Sequence, residues 1–141
     1  MGHLFAFRTE REPWGGTTGR FLFPVTASLA HIKNISSKLG EKFQDIIDNC
    51  WPGRGISLYR TSLEEEKQIL EALKLGYQDC SNNPEYWIDT FFRDPEPFIL
   101  CLEKYKELIQ LMEEEVNDIE RGKLIIQEDG MAIINENFKE E

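Results

Sequence analysis

The chain has 141 residues, of which 40% are hydrophobic and 11% aromatic, and its formal net charge is −10. This apolar content excludes a disordered acidic tail, and a chain of this length is typical of one domain with a packed core. The charge is divided unevenly: residues 1–60 carry eight Lys and Arg against five Asp and Glu, a net of +3, whereas residues 61–141 carry eight against twenty-one, a net of −13.

The cysteine pattern predicts a reducing compartment. Cys50, Cys80 and Cys101 are too few and too widely spaced for a disulfide scaffold, and each lies in an apolar or helical stretch that favours a buried thiol. The start of the chain lacks the basic and apolar regions of a secretory signal, and no apolar run is long enough to span a bilayer. We therefore expect a cytosolic protein without membrane contact.

The first elements are predicted to form a β-hairpin. Residues 4–9 and 20–25 are short and rich in aromatic and β-branched side chains, as strands are. Residues 10–19 between them are rich in turn formers and predict a long loop. Pro24 suits the end or the edge of the second strand, where no ladder donor is needed.

A helix and a third strand are predicted next. Apolar residues recur three and four positions apart from Thr26 or Ser28 to Cys50, which indicates an amphipathic helix that Gly40 weakens, bends or splits. Residues 56–60 then alternate between apolar and polar side chains, which predicts a strand.

The middle of the chain is predicted to be helical. Ser62 and Glu65 form the sequence signature of a capping box, so a helix begins there. Pro84 stops this helix and restarts another. From Phe98 to Ile119 apolar residues repeat at helical spacing, and Gly122 ends this longest helix.

The tail predicts a second hairpin, in which Asp129-Gly130 joins residues 123–128 to residues 131–135. The whole pattern indicates a single α+β domain over residues 1–141. We expect an antiparallel sheet built from the N- and C-terminal hairpins plus one strand, with three to four helices packed on one face.

Two loops in the basic half combine tryptophan, glycine and arginine. If they converge, their indole rings and guanidinium groups would bind an anionic ligand, as in a small enzyme or ligand-binding protein. The commoner explanation of each loop is a turn with a buried tryptophan. The residues of this predicted site are Trp14, Arg20, Trp51 and Arg54, joined by His31 and Arg8.

Glutamates are dense on two predicted helices of the acidic half. Such faces are most often simply solvated, but they also suit a protein partner with a basic surface. The predicted contact residues are Glu64, Glu71, Glu113, Glu114 and Asp118. Glu114 with Asp118, and Glu115 with Asp118, are spaced on one helix so that each pair can bind a hard cation. We expect these carboxylates to lie off the apolar stripe, so we predict neither a metal nor a cofactor.

Residues 86–93 hold four aromatic side chains, more than one narrow helical stripe can bury. Either this segment is sandwiched in the core, or one ring is exposed as an anchor. Self-association through this cluster or through the longest helix, giving a homodimer, is therefore a further hypothesis.

Catalytic signals are sparse. His3 and His31 are the two histidines, and none of the familiar catalytic or phosphate-binding motifs occurs, so no catalytic residue is predicted and enzymatic activity is left open. Nucleic-acid binding is disfavoured because phosphate contacts need clustered Lys and Arg. The first hypothesis is a small acidic protein-binding module, as inhibitors and immunity-type proteins are, and the alternative is the anionic-ligand site.

Overall fold

The computed structural model describes residues 3–16, 18–49 and 55–139. Within them the elements are β1 (His3–Ala6), β2 (Trp14–Gly16), α1 (Thr18–Ile35), α2 (Ser37–Asp48), β3 (Gly55–Ser57), α3 (Leu63–Asn82), α4 (Pro84–Trp87), α5 (Pro95–Glu120), β4 (Leu124–Ile126) and β5 (Ala132–Ile134). A 3₁₀ turn follows β3 and a π-helical turn follows α4. The α+β class is confirmed. Cys50, Trp51 and Arg54, and with them the second tryptophan loop, lie outside the described residues.

The strands form two small sheets rather than the single antiparallel sheet that was predicted. The first has the order β2-β1-β3, with β1 antiparallel to β2 and parallel to β3. The second is the antiparallel pair β4-β5. The two sheets are neighbours, because the backbone N–H of Ala132 donates to the carbonyl of Arg8 over 2.8 Å.

The predicted strand over residues 20–25 is wrong, because these residues belong to helix α1. This part of α1 carries apolar side chains on more than one side because other elements pack around it. Phe21 packs against Phe5, and Phe23 packs against the rings of Phe98 and Tyr105. A short helix segment buried on several sides has no polar face, so its periodicity resembles that of a buried strand. Strand β2 lies instead within the segment predicted as loop.

The helix predicted to run to Cys50 is divided at Ser36 and not at Gly40. The Ser36 side chain accepts a hydrogen bond from the backbone N–H of Leu39 and so caps α2. Gly40 has a packing role, since a Cβ there would lie 2.9 Å from the Cα of Lys33 on α1.

The later elements agree with their sequence signals. The capping box of Ser62 and Glu65 is present at the start of α3, and Pro84 opens α4. The predicted strand over residues 56–60 is shorter than expected and continues as the 3₁₀ turn. Five helices, rather than three to four, occur in the described part of the chain.

The helices enclose the core through close contacts. Gly76 on α3 allows α1 to approach, because a Cβ there would lie 2.8 Å from the carbonyl oxygen of Ala27 and 2.6 Å from the hydroxyl of Tyr105. That buried hydroxyl donates a hydrogen bond to the carbonyl of Leu73. None of the helices described combines the length and apolar character needed to cross a membrane.

Two glycines of the C-terminal segment provide a matched test of the packing. The backbone angle φ is +86° at Gly122 and +87° at Gly130. A Cβ on Gly122 meets no atom within 4 Å, whereas one on Gly130 would overlap the carbonyl of Tyr59. We expect Gly122→Ala to lower the free energy of unfolding by about 1–2 kcal/mol through backbone strain, and Gly130→Ala by more than about 3 kcal/mol. Urea denaturation of both variants measures the difference, and equal losses would contradict this packing.

Candidate functional site

Three charged side chains are buried together at the junction of the two sheets and the helices. Arg8, just after β1, is 1% exposed, Glu66 on α3 is fully buried, and Glu115 on α5 is 4% exposed. Burying charges costs several kcal/mol unless they are paired and hydrogen-bonded. We call these three residues the buried ion cluster.

Arg8 connects four parts of the chain. Its Nε donates to Glu66 Oε1 over 2.6 Å, its Nη1 to the carbonyl of Gly130 over 2.8 Å, and its Nη2 to the carbonyl of Thr61 over 2.6 Å. Its backbone N–H donates to Glu115 Oε1 over 2.6 Å. The fixed fork of the guanidinium group suits this arrangement, which the point charge of a lysine cannot reproduce.

The cluster contains two carboxyl groups but one guanidinium. The Oε2 atoms of Glu66 and Glu115 receive no hydrogen bond from an N–H or O–H donor of the described residues. The pKa of Glu115 is raised from 4.5 to about 8. Burial is the largest cause, followed by the negative charge of Glu66 and by a hydrogen bond with the Glu66 side chain. This rise in pKa favours the protonated form of Glu115, whose O–H can donate to the carboxylate of Glu66 and so removes the repulsion between two buried negative charges.

A cavity of about 610 Å³ lies beside the cluster, and Glu115 forms part of its wall. Apolar side chains of Phe7, Leu124, Ala132, Ile133 and Ile134 line most of it. The charged residues on its wall, besides Glu115, are Glu10, Arg11, Asp118 and Lys123. A cavity of this size and composition is typical of small-molecule sites.

The structure brings together some of the residues predicted to bind an anionic ligand. Trp14 and Arg20 line one cavity of about 380 Å³, with Arg11 and Lys104 on the same wall. Trp14 is itself buried and packs edge-on against Phe5, so its ring face is not free for stacking.

Other members of that predicted site are engaged elsewhere. The Arg8 guanidinium points into the buried ion cluster. His31 Nε2 lies 2.6 Å from Asp79 Oδ2, which links α1 to the end of α3. Trp51 and Arg54 lie outside the described residues, so convergence of the two loops stays a prediction.

The described thiols are poor nucleophiles. Burial, with a smaller contribution from the charge of Asp79, raises the pKa of Cys80 to about 12. Burial also raises the pKa of Cys101, which the nearby Arg20 partly offsets. Both thiols therefore remain protonated at neutral pH.

Several of the predicted partner-binding residues already have cationic neighbours. Glu113 pairs with Lys74 over 2.9 Å, and Glu114 pairs with Arg11 over 2.9 Å. Asp118 lies 3.9 Å from Arg121. These contacts reduce the local negative potential, although exposed ion pairs of this kind contribute little to stability.

Between α4 and the start of α5 lies a partly exposed surface that we call the aromatic face, formed by Tyr86, Trp87, Phe91 and Phe92. Trp87 and Phe92 pack against the buried ring of Phe23, whereas Phe91 stacks on Trp87 at 5.1 Å and is 51% exposed. Tyr86 is 53% exposed. The cluster is therefore partly core and partly surface, and a groove of about 470 Å³ lies along it.

The backbone around this face is unusual. Residues Ile88–Phe92 form the π-helical turn, and Arg93 follows it with φ of +67°, in the region that favours glycine. π-helical turns and such backbone conformations are enriched at functional sites. Two more apolar side chains are exposed in the first turns of α5: Ile99 is 52% exposed and Leu100 is 55% exposed.

Known proteins offer no guide to these sites. Comparisons of the chain with protein-family models, with curated proteins and with solved structures gave no match. Within residues 3–16, 18–49 and 55–139, no group of three or more His, Cys, Asp or Glu side chains is arranged to hold a metal ion.

The buried ion cluster was missed by the sequence predictions, although a signal for it exists. Glu66 precedes Ile69 and Leu70 by three and four positions, so it lies on the apolar stripe of α3. Glu115 follows Met112 by three positions and occupies the buried stripe of α5, so the expectation that it lies off this stripe is wrong. A glutamate on an apolar stripe is a candidate for a buried partner, and this distinguishes it from its solvated neighbours.

The raised pKa of Glu115 predicts a specific loss of stability as the pH rises from about 4.5 to about 8. A carboxyl group that binds its proton more tightly when folded contributes stability that is fully present below pH 4.5 and is lost as the pH rises through about 8. The expected slope is up to about 1.4 kcal/mol per pH unit. Glu115→Gln keeps the group neutral and should flatten the dependence of the free energy of unfolding on pH. Urea titrations across this range test it, with Glu113→Gln at a half-exposed position of the same helix as the control. Parallel curves for wild type and Glu115→Gln would exclude the assignment.

Proposed function

We propose that this protein is a binding module for a protein partner with a basic surface, and that the partner docks on the aromatic face. The main observation in support is that four large apolar side chains are exposed within one segment of fifteen residues. They are Tyr86, Phe91, Ile99 and Leu100. Aromatic anchors beside a groove are typical of the energetic centres of protein interfaces. Isolated exposed apolar residues need no explanation, whereas several of them within one short segment of the chain favour an interaction surface.

Charge around the aromatic face supports a cationic partner. Glu85, Asp89, Asp94 and Glu96 are all exposed, and none forms an ion pair with another described residue. Two basic residues oppose these four acidic groups: Arg93, the one basic residue among positions 84–103, and Arg20 of α1, which lies on the wall of the groove. An apolar centre with an acidic rim complements an amphipathic basic segment, and such complementarity accelerates association.

The glutamates of α3 and α5 have a supporting role in this proposal. Glu64 and Glu71 are exposed, and together with Glu113, Glu114 and Asp118 they add to the negative field of the molecule. Because long-range fields steer encounter without requiring direct contact, these residues raise the rate of association. An inhibitor that covers a basic active site is one form of such a module.

A cytosolic location is part of the same proposal. The buried Cys80 thiol, whose pKa is about 12, is unsuited to forming a disulfide. Such a thiol is compatible with a reducing compartment.

A model peptide tests the docking proposal. We expect a fluorescent helical peptide with leucine on one face and lysine on the other to bind, and to bind more weakly as salt rises from about 0.05 to about 0.5 M. Phe91→Ser should weaken binding at least about tenfold because it removes an anchor. Fluorescence anisotropy measures both effects.

Two controls make this experiment decisive. Ile134→Ser removes an apolar side chain of β5 that is 71% exposed, more than the 51% of Phe91, and that is not part of the aromatic face, so it should leave affinity unchanged. A peptide with glutamate in place of lysine should not bind. Equal binding of both peptides, or unchanged affinity in Phe91→Ser, would overturn the proposal.

The cavity at the first loop favours a second candidate function, the binding of a small anion. Three cationic residues, Arg11, Arg20 and Lys104, lie on its wall against two acidic residues, Glu12 and Glu107. The net charge of the wall is therefore positive, and Arg20 forms none of the ion pairs that Arg11 makes with Glu114 and Lys104 makes with Glu107.

Inorganic phosphate is the probe for this candidate. We expect phosphate to shift the backbone amide resonances of Trp14 and Gly15, and Arg20→Gln to weaken its binding about fivefold or more, because a charge-assisted donor is lost. NMR titration measures both effects. Arg60→Gln, at an exposed position in the 3₁₀ turn, is the control, and an identical titration in Arg20→Gln and wild type would refute the site.

A further inference from the structure

The C-terminal hairpin β4-β5 has one edge that contacts the rest of the chain and one that is open. On the β5 side, the backbone N–H of Ala132 donates to the carbonyl of Arg8 over 2.8 Å. On the β4 side the small sheet ends, because β4 pairs with β5 and with no other strand of the described residues. An open sheet edge presents backbone N–H and C=O groups that can pair with another strand.

Strand β4 bonds to β5 through every second residue. The N–H of Gln127 donates to the carbonyl of Met131 over 2.8 Å, and the N–H of Asn135 donates to the carbonyl of Lys123 over 2.9 Å. Bonded and non-bonded pairs alternate along an antiparallel ladder. Ile125, midway between Lys123 and Gln127, therefore also turns its backbone groups toward β5.

The two residues on either side of Ile125 turn their backbone groups outward. These are Leu124 and Ile126, and their N–H and C=O groups form no hydrogen bond with another described residue. The Ile125 side chain is 47% exposed and lies opposite that of Ile133, which is 48% exposed. The open edge of β4 thus combines unpaired backbone groups with an exposed apolar side chain at its centre.

Charges of opposite sign lie at the two ends of β4. Lys123 precedes the strand, whereas Glu128 and Asp129 follow it. None of these three side chains forms an ion pair with another described residue. A second β4 in the antiparallel direction brings the basic end of each strand toward the acidic end of the other, whereas a parallel one brings like charges together.

We propose that this protein forms a symmetric dimer in which β4 pairs antiparallel with β4 of a second copy, centred on Ile125. In this register Leu124 of each copy lies opposite Ile126 of the other, so the outward N–H and C=O groups of both residues are paired. The two hairpins then form one four-stranded sheet. Because both open edges are used, the assembly closes at two copies.

Sedimentation equilibrium tests the dimer. The interface is small, so we expect a dissociation constant on the order of 10⁻⁴ M. Ile125→Lys places two like charges directly opposite each other and should weaken the dimer at least about tenfold. Ile133→Lys is the matched control, since this side chain is equally exposed on the same hairpin but does not face its own copy, and it should retain the dimer.

Cysteine cross-linking tests the register. Ile125 and its copy form a non-hydrogen-bonded pair with Cα atoms about 4.5 Å apart, which a disulfide can bridge. Ile133 and its copy lie three strand spacings apart, about 14 Å, which is beyond that reach. Mild oxidation should therefore link Ile125→Cys into a dimer but not Ile133→Cys. Non-reducing electrophoresis measures this, with wild type as the blank for the native cysteines.

The outcomes that would overturn the proposal are distinct. They are the absence of a dimer at about 1 mM protein, a dimer that Ile125→Lys leaves intact, and equal cross-linking of the two cysteine variants. Cross-linking adds no charge, so it tests the pairing even where the lysine variant is less stable. Peptide binding at the aromatic face without a dimer would leave the docking proposal standing and remove only this one.

Discussion

The burial of one arginine with two carboxyl groups is the constraint on which the rest of the structure depends. Arg8 binds partners in α3, in the 3₁₀ turn region and in the β4-β5 hairpin, and its backbone binds Glu115 on α5. Because a buried charge without a partner is so costly, each of these elements must occupy its place for the others to be stable. The cluster thus fixes the position of a hairpin that shares no strand pairing with the first sheet.

The same constraint separates the molecule into regions with different chemistry. Near the cluster, the number of positive charges is too small for the carboxyl groups present, and a proton makes up the difference. At the aromatic face the acidic groups are exposed and hydrated, so they cost little and remain available to a partner. One acidic chain therefore uses its carboxyl groups in two ways, as internal connections and as surface charge.

Local signals in the sequence predicted the elements that depend on local interactions. Ser62 caps α3 through residues three positions away, and the Asp129-Gly130 turn joins two adjacent strands. Residues 20–25 could not be predicted to be helical, because their burial depends on contacts with the rings of Phe5 and Tyr105, which belong to other elements of the chain. The roles of Glu66 and Glu115 were hidden for a similar reason, since their partner Arg8 is 58 and 107 positions distant.

The long sequence separations in the cluster also have a kinetic meaning. The bond from Arg8 to the carbonyl of Gly130 joins residues 122 positions apart, and it can form only when nearly the whole chain is available. Contacts of this kind close large loops and are characteristic of slow folding steps. During synthesis the bond from Arg8 to Gly130 can form only after the helices are made, so the last of the Arg8 contacts marks the completion of folding rather than its nucleation.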